Sequence, residues 1–143
     1  MYRMLLIDDD PTILEGLTAI IQDHFADCFH CTTASDGGIA LDLLKETYFH
    51  IIISDNKMPK LDGLSLLQLI KENNIPSCVI MLSGFDDYTY IRHALKSGAE
   101  DYLLKPVNIR EFVSMIRTLI PKLKNSISLL PDASPVPSMP AAE

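Results

Sequence analysis

The chain has 143 residues, 48% of them hydrophobic, with 12 basic against 19 acidic side chains and a net charge of −7. That length suits one domain with a core of its own, and the acidic balance argues against a surface that grips nucleic acid. Uninterrupted apolar runs stop at about five residues, far short of the roughly 20 a membrane span needs. Met1-Tyr2-Arg3 leads through a short apolar run straight into acid, so no signal peptide is expected and the protein should be cytoplasmic. Three cysteines, an odd number, do not make a disulfide framework. Cys28 and Cys31 form a C-x-x-C with no second pair to complete a metal knuckle, and they overlap an expected strand, so packed thiols are the simpler reading.

Short apolar runs alternate with helix-period segments along the chain. Residues 3–7 read as a strand, followed by a helix over 11–25 with Pro11 in its first turn and Ile13, Leu14, Leu17, Ile20 and Ile21 on one side. Residues 28–33 make a weaker strand. Asp36 is a good N-cap for a helix striped by Ile39, Ala40, Leu43 and Leu44. The third strand covers 51–54, the loop Met58-Pro59-Lys60-Leu61-Asp62-Gly63 follows, and Leu64, Leu67 and Ile70 begin a third helix. Residues 78–82 are wholly apolar, which predicts a central strand. A helix over 86–97 ends at Ser97-Gly98, where Gly98 suits a left-handed cap, and 102–104 form the fifth strand. The last helix, 108–124, turns Phe112, Ile116 and Leu119 inward, with Pro121 expected to kink or stop it. Tyr88 and Tyr90 are expected to be surface or packing residues of the fourth helix, with Tyr90 and His93 also candidates for the face that partners read.

Five strands alternating with five helices predict an α/β fold, a doubly wound parallel sheet covered on both faces. The folded domain is expected over 1–124. Residues 125–143 carry Pro131, Pro135, Pro137 and Pro140 among small residues and read as a flexible tail or linker.

If the strands are parallel, Asp8, Asp9, Asp55, Ser83 and Lys105 all fall at C-terminal strand ends, the edge where ligands bind in such sheets. Carboxylates gathered there repel one another unless a cation joins them, and a divalent ion among them suggests phosphoryl chemistry. One carboxylate can attack phosphorus, others can hold the metal, and a hydroxyl and an ammonium can receive the phosphoryl oxygens. Each group alone has an ordinary explanation. Asp8-Asp9-Asp10 before Pro11 could be turn and capping residues, Ser83-Gly84 a common turn, Lys105 a solvated lysine and Tyr102 a half-buried core aromatic. Together they are not explained that way.

The chain resembles the receiver domains of response regulators in two-component signalling, over residues 2–122. Leu5-Leu6-Ile7-Asp8-Asp9-Asp10-Pro11 is similar to the family's acidic opening. Ile53-Ser54-Asp55-Asn56-Lys57-Met58-Pro59 with Asp62-Gly63 is similar to its phosphoacceptor strand and loop. Met81-Leu82-Ser83-Gly84 and Asp101-Tyr102-Leu103-Leu104-Lys105-Pro106 are similar to its last two motifs. The resemblance implies strand order 2-1-3-4-5 and often a cis Lys105–Pro106 bond. It implies that Asp55 becomes an aspartyl phosphate and that Mg²⁺ (or Mn²⁺) is held by Asp9, Asp55 and the Lys57 backbone carbonyl, with Asp8 acting through a metal-bound water. Ser83 would bond the phosphoryl group, Lys105 would pair with it, and Tyr102 would be an aromatic switch.

Further expectations follow from the resemblance. The donor is a sensor histidine kinase or a phosphotransfer protein, and the output surface lies on the fourth helix, fifth strand and fifth helix. Homodimerisation on phosphorylation is plausible, and neither a membrane nor direct nucleic-acid contact by this chain is expected. The protein is a signalling phosphoacceptor, catalysing its own phosphorylation and dephosphorylation at most. Asp10 would solvate or cap the first helix, Lys57 could alter water access, and His50, far from the chemistry, should matter little. The stretch from Asp86 to Val107 is most similar to receivers fused to AraC-type DNA-binding domains, which suggests transcription regulation, although no helix-turn-helix follows here. Two other readings compete. Asp8-Asp9-Asp10-Pro11-Thr12 also fits the D-x-D-x-T opening of haloacid-dehalogenase phosphatases, with Asp8 as nucleophile, Asp10 as general acid and Asp55 incidental. A pseudo-receiver that never takes phosphate is the third, and the complete acid, hydroxyl and lysine set speaks against it.

Overall fold

A computed structural model of the chain describes residues 1–84 and 87–127, with backbone only for 124–127. In chain order the elements are β1 (Tyr2–Ile7), α1 (Pro11–Phe25), β2 (Phe29–Ala34), α2 (Gly37–Glu46), β3 (Ile51–Asp55), α3 (Gly63–Glu72), β4 (Cys78–Ser83), α4 (Tyr88–Lys96), β5 (Asp101–Leu104) and α5 (Ile109–Ile127). All strand pairs are parallel, in the order β2-β1-β3-β4-β5. The centre of the sheet is therefore β3. The apolar β4 lies one place toward the β5 edge, interior but not central. Register is set by the starts of the strands: Leu5 pairs with Ile52 and Ile52 with Val79, which aligns the ends of β1, β3 and β4 at one rim.

The two faces of the sheet divide the core by the period-2 alternation of strand side chains. Leu5, Ile7, Ile52, Val79 and Met81 meet Ala40, Leu41 and Leu44 of α2, Leu66, Leu67 and Ile70 of α3 and Ala94 of α4. Met4, Leu6, Ile51, Ile53, Ile80, Leu82 and Leu103 meet the buried sides of α1 and α5, including Ile21, Phe25, Phe112 and Ile116. Because both faces are covered, β1, β3 and β4 read as continuous apolar runs rather than as alternating ones.

Pro121 does not end the last helix. α5 continues to Ile127, past the expected limit at 124. Proline removes one helical hydrogen bond, but Pro121 is exposed and the inward stripe runs on from Leu119 to Leu123, which is 1% exposed. Packing on the sheet carries the helix through. The proline-rich tail expected over 125–143 lies outside the described residues from 128 onward, as do Phe85 and Asp86 before α4.

At the opposite end of the sheet from the strand C-termini, His50 carries more structure than its distance from the chemistry suggested. It is 3% exposed, its Nδ1 accepts from the Arg3 N–H at 3.0 Å, and its ring meets Tyr2 and Tyr48 edge-on. Its own N–H and C=O bond to Arg3 and Cys78, so it seeds the pairing of β3 with both neighbours. The three cysteines are free and half-buried.

Every helix begins at the rim where the strands end. Asp10, Asp36 and Asp62 cap α1, α2 and α3 by accepting from Thr12, Ile39 and Ser65 N–H groups at 2.8–2.9 Å, and Asn108 accepts from Glu111 before α5. The start of α4 differs: Asp87 makes no cap bond and its carboxylate lies 3.9 Å from Lys57 Nζ instead. The loop after β3 is pressed against α2 so closely that a Cβ on Gly37 would stand 2.1 Å from the Leu61 carbonyl oxygen. Gly37→Ala should therefore lower stability in urea unfolding by about 1–3 kcal/mol. Unchanged stability would mean that this loop is not seated on α2.

Candidate functional site

The site is built where three adjacent strands stop. β1 ends at Ile7, so Asp8 leaves the sheet while its N–H still bonds the Ala34 carbonyl at 3.2 Å. Asp8 is 0% exposed, and its Oδ1 accepts from the Asp10 N–H at 2.9 Å. Its Oδ2 faces the Lys105 ammonium at 2.8 Å and has no other partner among the described residues. Asp55 closes β3, is buried, and has Oδ2 3.3 Å from the same ammonium. Asp9 is exposed beside them. Carboxylate oxygens of Asp8, Asp9 and Asp55 all lie within 4.8 Å of one another.

Lys105 reaches this cluster because β5 is held in register. Its N–H donates to the Ser83 carbonyl at 2.8 Å, just beyond the last β4–β5 pair, and the peptide bond to Pro106 is cis, as the resemblance implied. Burial first, and the Asp8 charge next, push the Asp55 carboxyl above its ordinary value, against the opposing pull of Lys105. For Lys105, burial alone would lower the ammonium; its bond to Asp8 and the charges of Asp55 and Asp8 outweigh that and leave it raised. The cation is thus fixed between two acids.

Three carboxylates against one ammonium leave two negative charges uncompensated, the charge of one divalent cation. Oxygen donors at this mutual spacing suit a hard ion that keeps several waters. Asp8, Asp9 and Asp55 can therefore hold a metal.

The other expected residues are arranged around this centre at different ranges. Ser83 ends β4, is 1% exposed, and its Oγ donates to the Gly84 carbonyl at 2.8 Å, so its hydroxyl is engaged in its own turn. Tyr102 lies on β5, where only Leu103 turns inward; its side chain is 37% exposed and stands outward. Lys57 is exposed and pairs with Asp87 across the mouth of the site. Asp10 serves as the cap of α1. That leaves the phosphatase alternative without its parts: Asp10, its general acid, is exposed and spent on Thr12, while Asp55 is a member of the cluster rather than incidental.

Three features have structural roles that the sequence did not reveal. A Cβ on Gly63 would stand 2.3 Å from the Asp55 carbonyl oxygen and 3.0 Å from the Met81 side chain, so glycine at 63 is required by a close approach to the end of β3. Asn56 clasps the same loop: its C=O accepts from Gly63 N–H at 3.0 Å and its Oδ1 from Leu64 N–H at 3.2 Å. Tyr90, expected to pack, to lie on the surface or to join a face that partners read, has a fully buried hydroxyl with no partner among the described residues. The Asp-Gly pair itself was a signal for the first; the other two depend on contacts across the fold.

Comparison with known proteins agrees with this geometry. The model of the response regulator receiver domain family matches residues 4–117. The transcriptional regulatory protein YesN of Bacillus subtilis is 36% identical over 124 residues, 87% of this chain and 34% of that protein. The Arabidopsis thaliana two-component response regulator ARR10 is 41% identical over 126 residues, 85% of this chain and 22% of that protein. The chain thus spans about a third or less of these two relatives. It spans nearly all of two solved structures. One is the receiver domain of the Francisella response regulator 1452, with 34% identity, a TM-score of 0.74, and coverage of 88% of this chain and 99% of that one. The other is a response regulator receiver domain protein from Clostridium thermocellum, with 32% identity, a TM-score of 0.78, and coverage of 89% and 100%. With the five-stranded order, the acidic rim and its lysine already in place, the match leaves one conclusion: this chain belongs to the response-regulator receiver family of two-component signal transduction.

Proposed function

We propose that this receiver accepts a phosphoryl group from a histidine kinase or a phosphotransfer protein onto Asp55, in a Mg²⁺-dependent reaction that Mn²⁺ also supports. The observation that supports this most is the meeting of the Asp55 carboxylate with Asp8, Asp9 and the Lys105 ammonium at one rim. The ion, when bound, offsets charge between the carboxylates and the incoming phosphoryl oxygens. Asp9, Asp55 and the Lys57 backbone carbonyl would hold it, with Asp8 acting through a water.

The transfer needs little from the protein beyond positioning. An Asp55 oxygen attacks phosphorus, the phosphorus–nitrogen bond of the donor phosphohistidine breaks, and the imidazole leaves with the electron pair. Lys105 neutralises one phosphoryl oxygen. Ser83 rotates its Oγ away from the Gly84 carbonyl and donates to another. Movement of Ser83 frees room behind it, and Tyr102 turns inward from its exposed position, which changes the surface formed by α4, β5 and α5. That surface passes the signal on by contacts with protein, including a second copy of this chain. A transcriptional output is favoured by the similarity to a transcriptional regulatory protein of Bacillus subtilis. Among the described residues no helix is long and apolar enough to cross a membrane, in keeping with a cytoplasmic partner of a sensor kinase.

Two variants test this reading. Asp55→Asn should keep the fold by circular dichroism and take no label from acetyl phosphate; labelling at the wild-type rate rejects the assignment, and label on Asp8 revives the phosphatase scheme. Lys105→Met should cost about 1–3 kcal/mol at neutral pH, because Asp8 and Asp55 then face each other without a counter-charge. Since the Asp55 carboxyl is already raised, losing the ammonium raises it further. A raised carboxyl destabilises the fold fully above its folded pKa and not at all below the ordinary value of about 4. The deficit of Lys105→Met should therefore shrink as pH falls, in paired urea titrations; a deficit constant with pH would mean that the lysine acts only by packing.

A further inference from the structure

Tyr90 sits in the first turn of α4, with its ring packed against the core face shared by α2, α3 and α4. Its hydroxyl is buried yet bonds to nothing among the described residues. Such a group costs roughly 1–3 kcal/mol wherever it is left unsatisfied. The aromatic ring alone would have been supplied by phenylalanine, so packing does not explain the oxygen.

The surroundings of that oxygen are specific. After burial, the charges that act on it are those of Asp55, then Asp87, then Asp62, and all hold the phenol well above its ordinary value. These acids stand at the end of β3, the start of α4 and the start of α3, along the rim where α4 begins. It keeps its proton and so can donate to an acceptor. Two of those acids are already committed: Asp62 caps α3 and Asp87 pairs with Lys57. Asp55 is paired as well, its Oδ2 with Lys105, but it is the one residue of the three that gains new acceptor oxygens when it is phosphorylated.

We propose that Tyr90 is a second phosphoryl-sensing donor, whose buried hydroxyl bonds to the phosphoryl group carried by Asp55 and so ties the start of α4 to the modified site. The proposal rests on the assignment of Asp55 as acceptor. It gives α4 its own link to the phosphate, separate from Ser83 and Tyr102. The link acts where that helix lacks the side-chain cap found on the other four. The hydroxyl costs stability in the free protein and recovers it in the phosphorylated one, so it biases the two-state equilibrium toward the phosphorylated arrangement.

This makes an unusual pair of signs for one conservative variant. Tyr90→Phe removes the unsatisfied hydroxyl and keeps the ring, so the unphosphorylated protein should melt at the same temperature as wild type or higher. The same variant should bind beryllium fluoride, a phosphoryl mimic, about tenfold or more weakly in the presence of Mg²⁺, and its phosphorylated form should lose label correspondingly faster; tenfold corresponds to about 1.4 kcal/mol. Equal beryllium fluoride affinity in the two proteins overturns the proposal. A lower melting temperature in Tyr90→Phe also overturns it, because the hydroxyl would then already be satisfied in the free protein. Failure of the wild type itself to bind beryllium fluoride would instead sink the Asp55 assignment.

Discussion

Everything at this rim depends on one ammonium between two buried acids. Asp8 has no exposure to solvent and Asp55 very little, and neither position is tolerable for a carboxylate without a cation beside it. Lys105 supplies that cation at 2.8 Å and 3.3 Å. It compensates only part of the charge, which leaves the cluster able to hold a divalent ion, on which the proposed phosphoryl transfer depends. The fold serves this arrangement. Parallel strands of matched register bring residues 8, 55, 83 and 105 to one edge, and the helices that follow them begin there too, with their N-terminal dipoles adding positive potential.

The loop after β3 is held as firmly as the strands. Gly37 lets Leu61 rest on α2, Gly63 lets α3 start against the Asp55 carbonyl, and Asn56 clasps the two ends of the turn. By contrast the start of α4 carries a long ion pair between exposed Lys57 and Asp87, and a tyrosine whose hydroxyl has no partner among the described residues. A rigid acceptor loop facing a loosely tied helix is a physical basis for a switch: chemistry at Asp55 can alter the second without disturbing the first.

Much of this was legible before any coordinates. The apolar runs and helix stripes located all ten elements to within a few residues, because a two-sided α/β sheet leaves its strands uniformly apolar and its helices amphipathic. That Asp8, Asp9, Asp55 and Lys105 meet at one rim was legible because acids and a lysine at parallel strand ends make chemical sense only together. What the sequence hid were effects of distant contacts. Pro121 reads as a helix stop locally, but the packing of Leu119 and Leu123 overrides it. His50 reads as incidental, yet it accepts a hydrogen bond from Arg3, 47 residues away. The wholly apolar composition of 78–82 signalled an interior strand and could not say which one was central. The need for glycine at 63 is set by a carbonyl on another element, and Tyr90 looks like any aromatic of an amphipathic helix until its oxygen is located.

The most direct test of the central claim is to find where a divalent ion sits, using the anomalous scattering of Mn²⁺ in crystals of the protein. A single ion bound by carboxylate oxygens of Asp9 and Asp55, with Asp8 close by, is the result expected. An ion bound elsewhere, or a rim that stays free of Mn²⁺ while Lys105 keeps its place, would contradict the account.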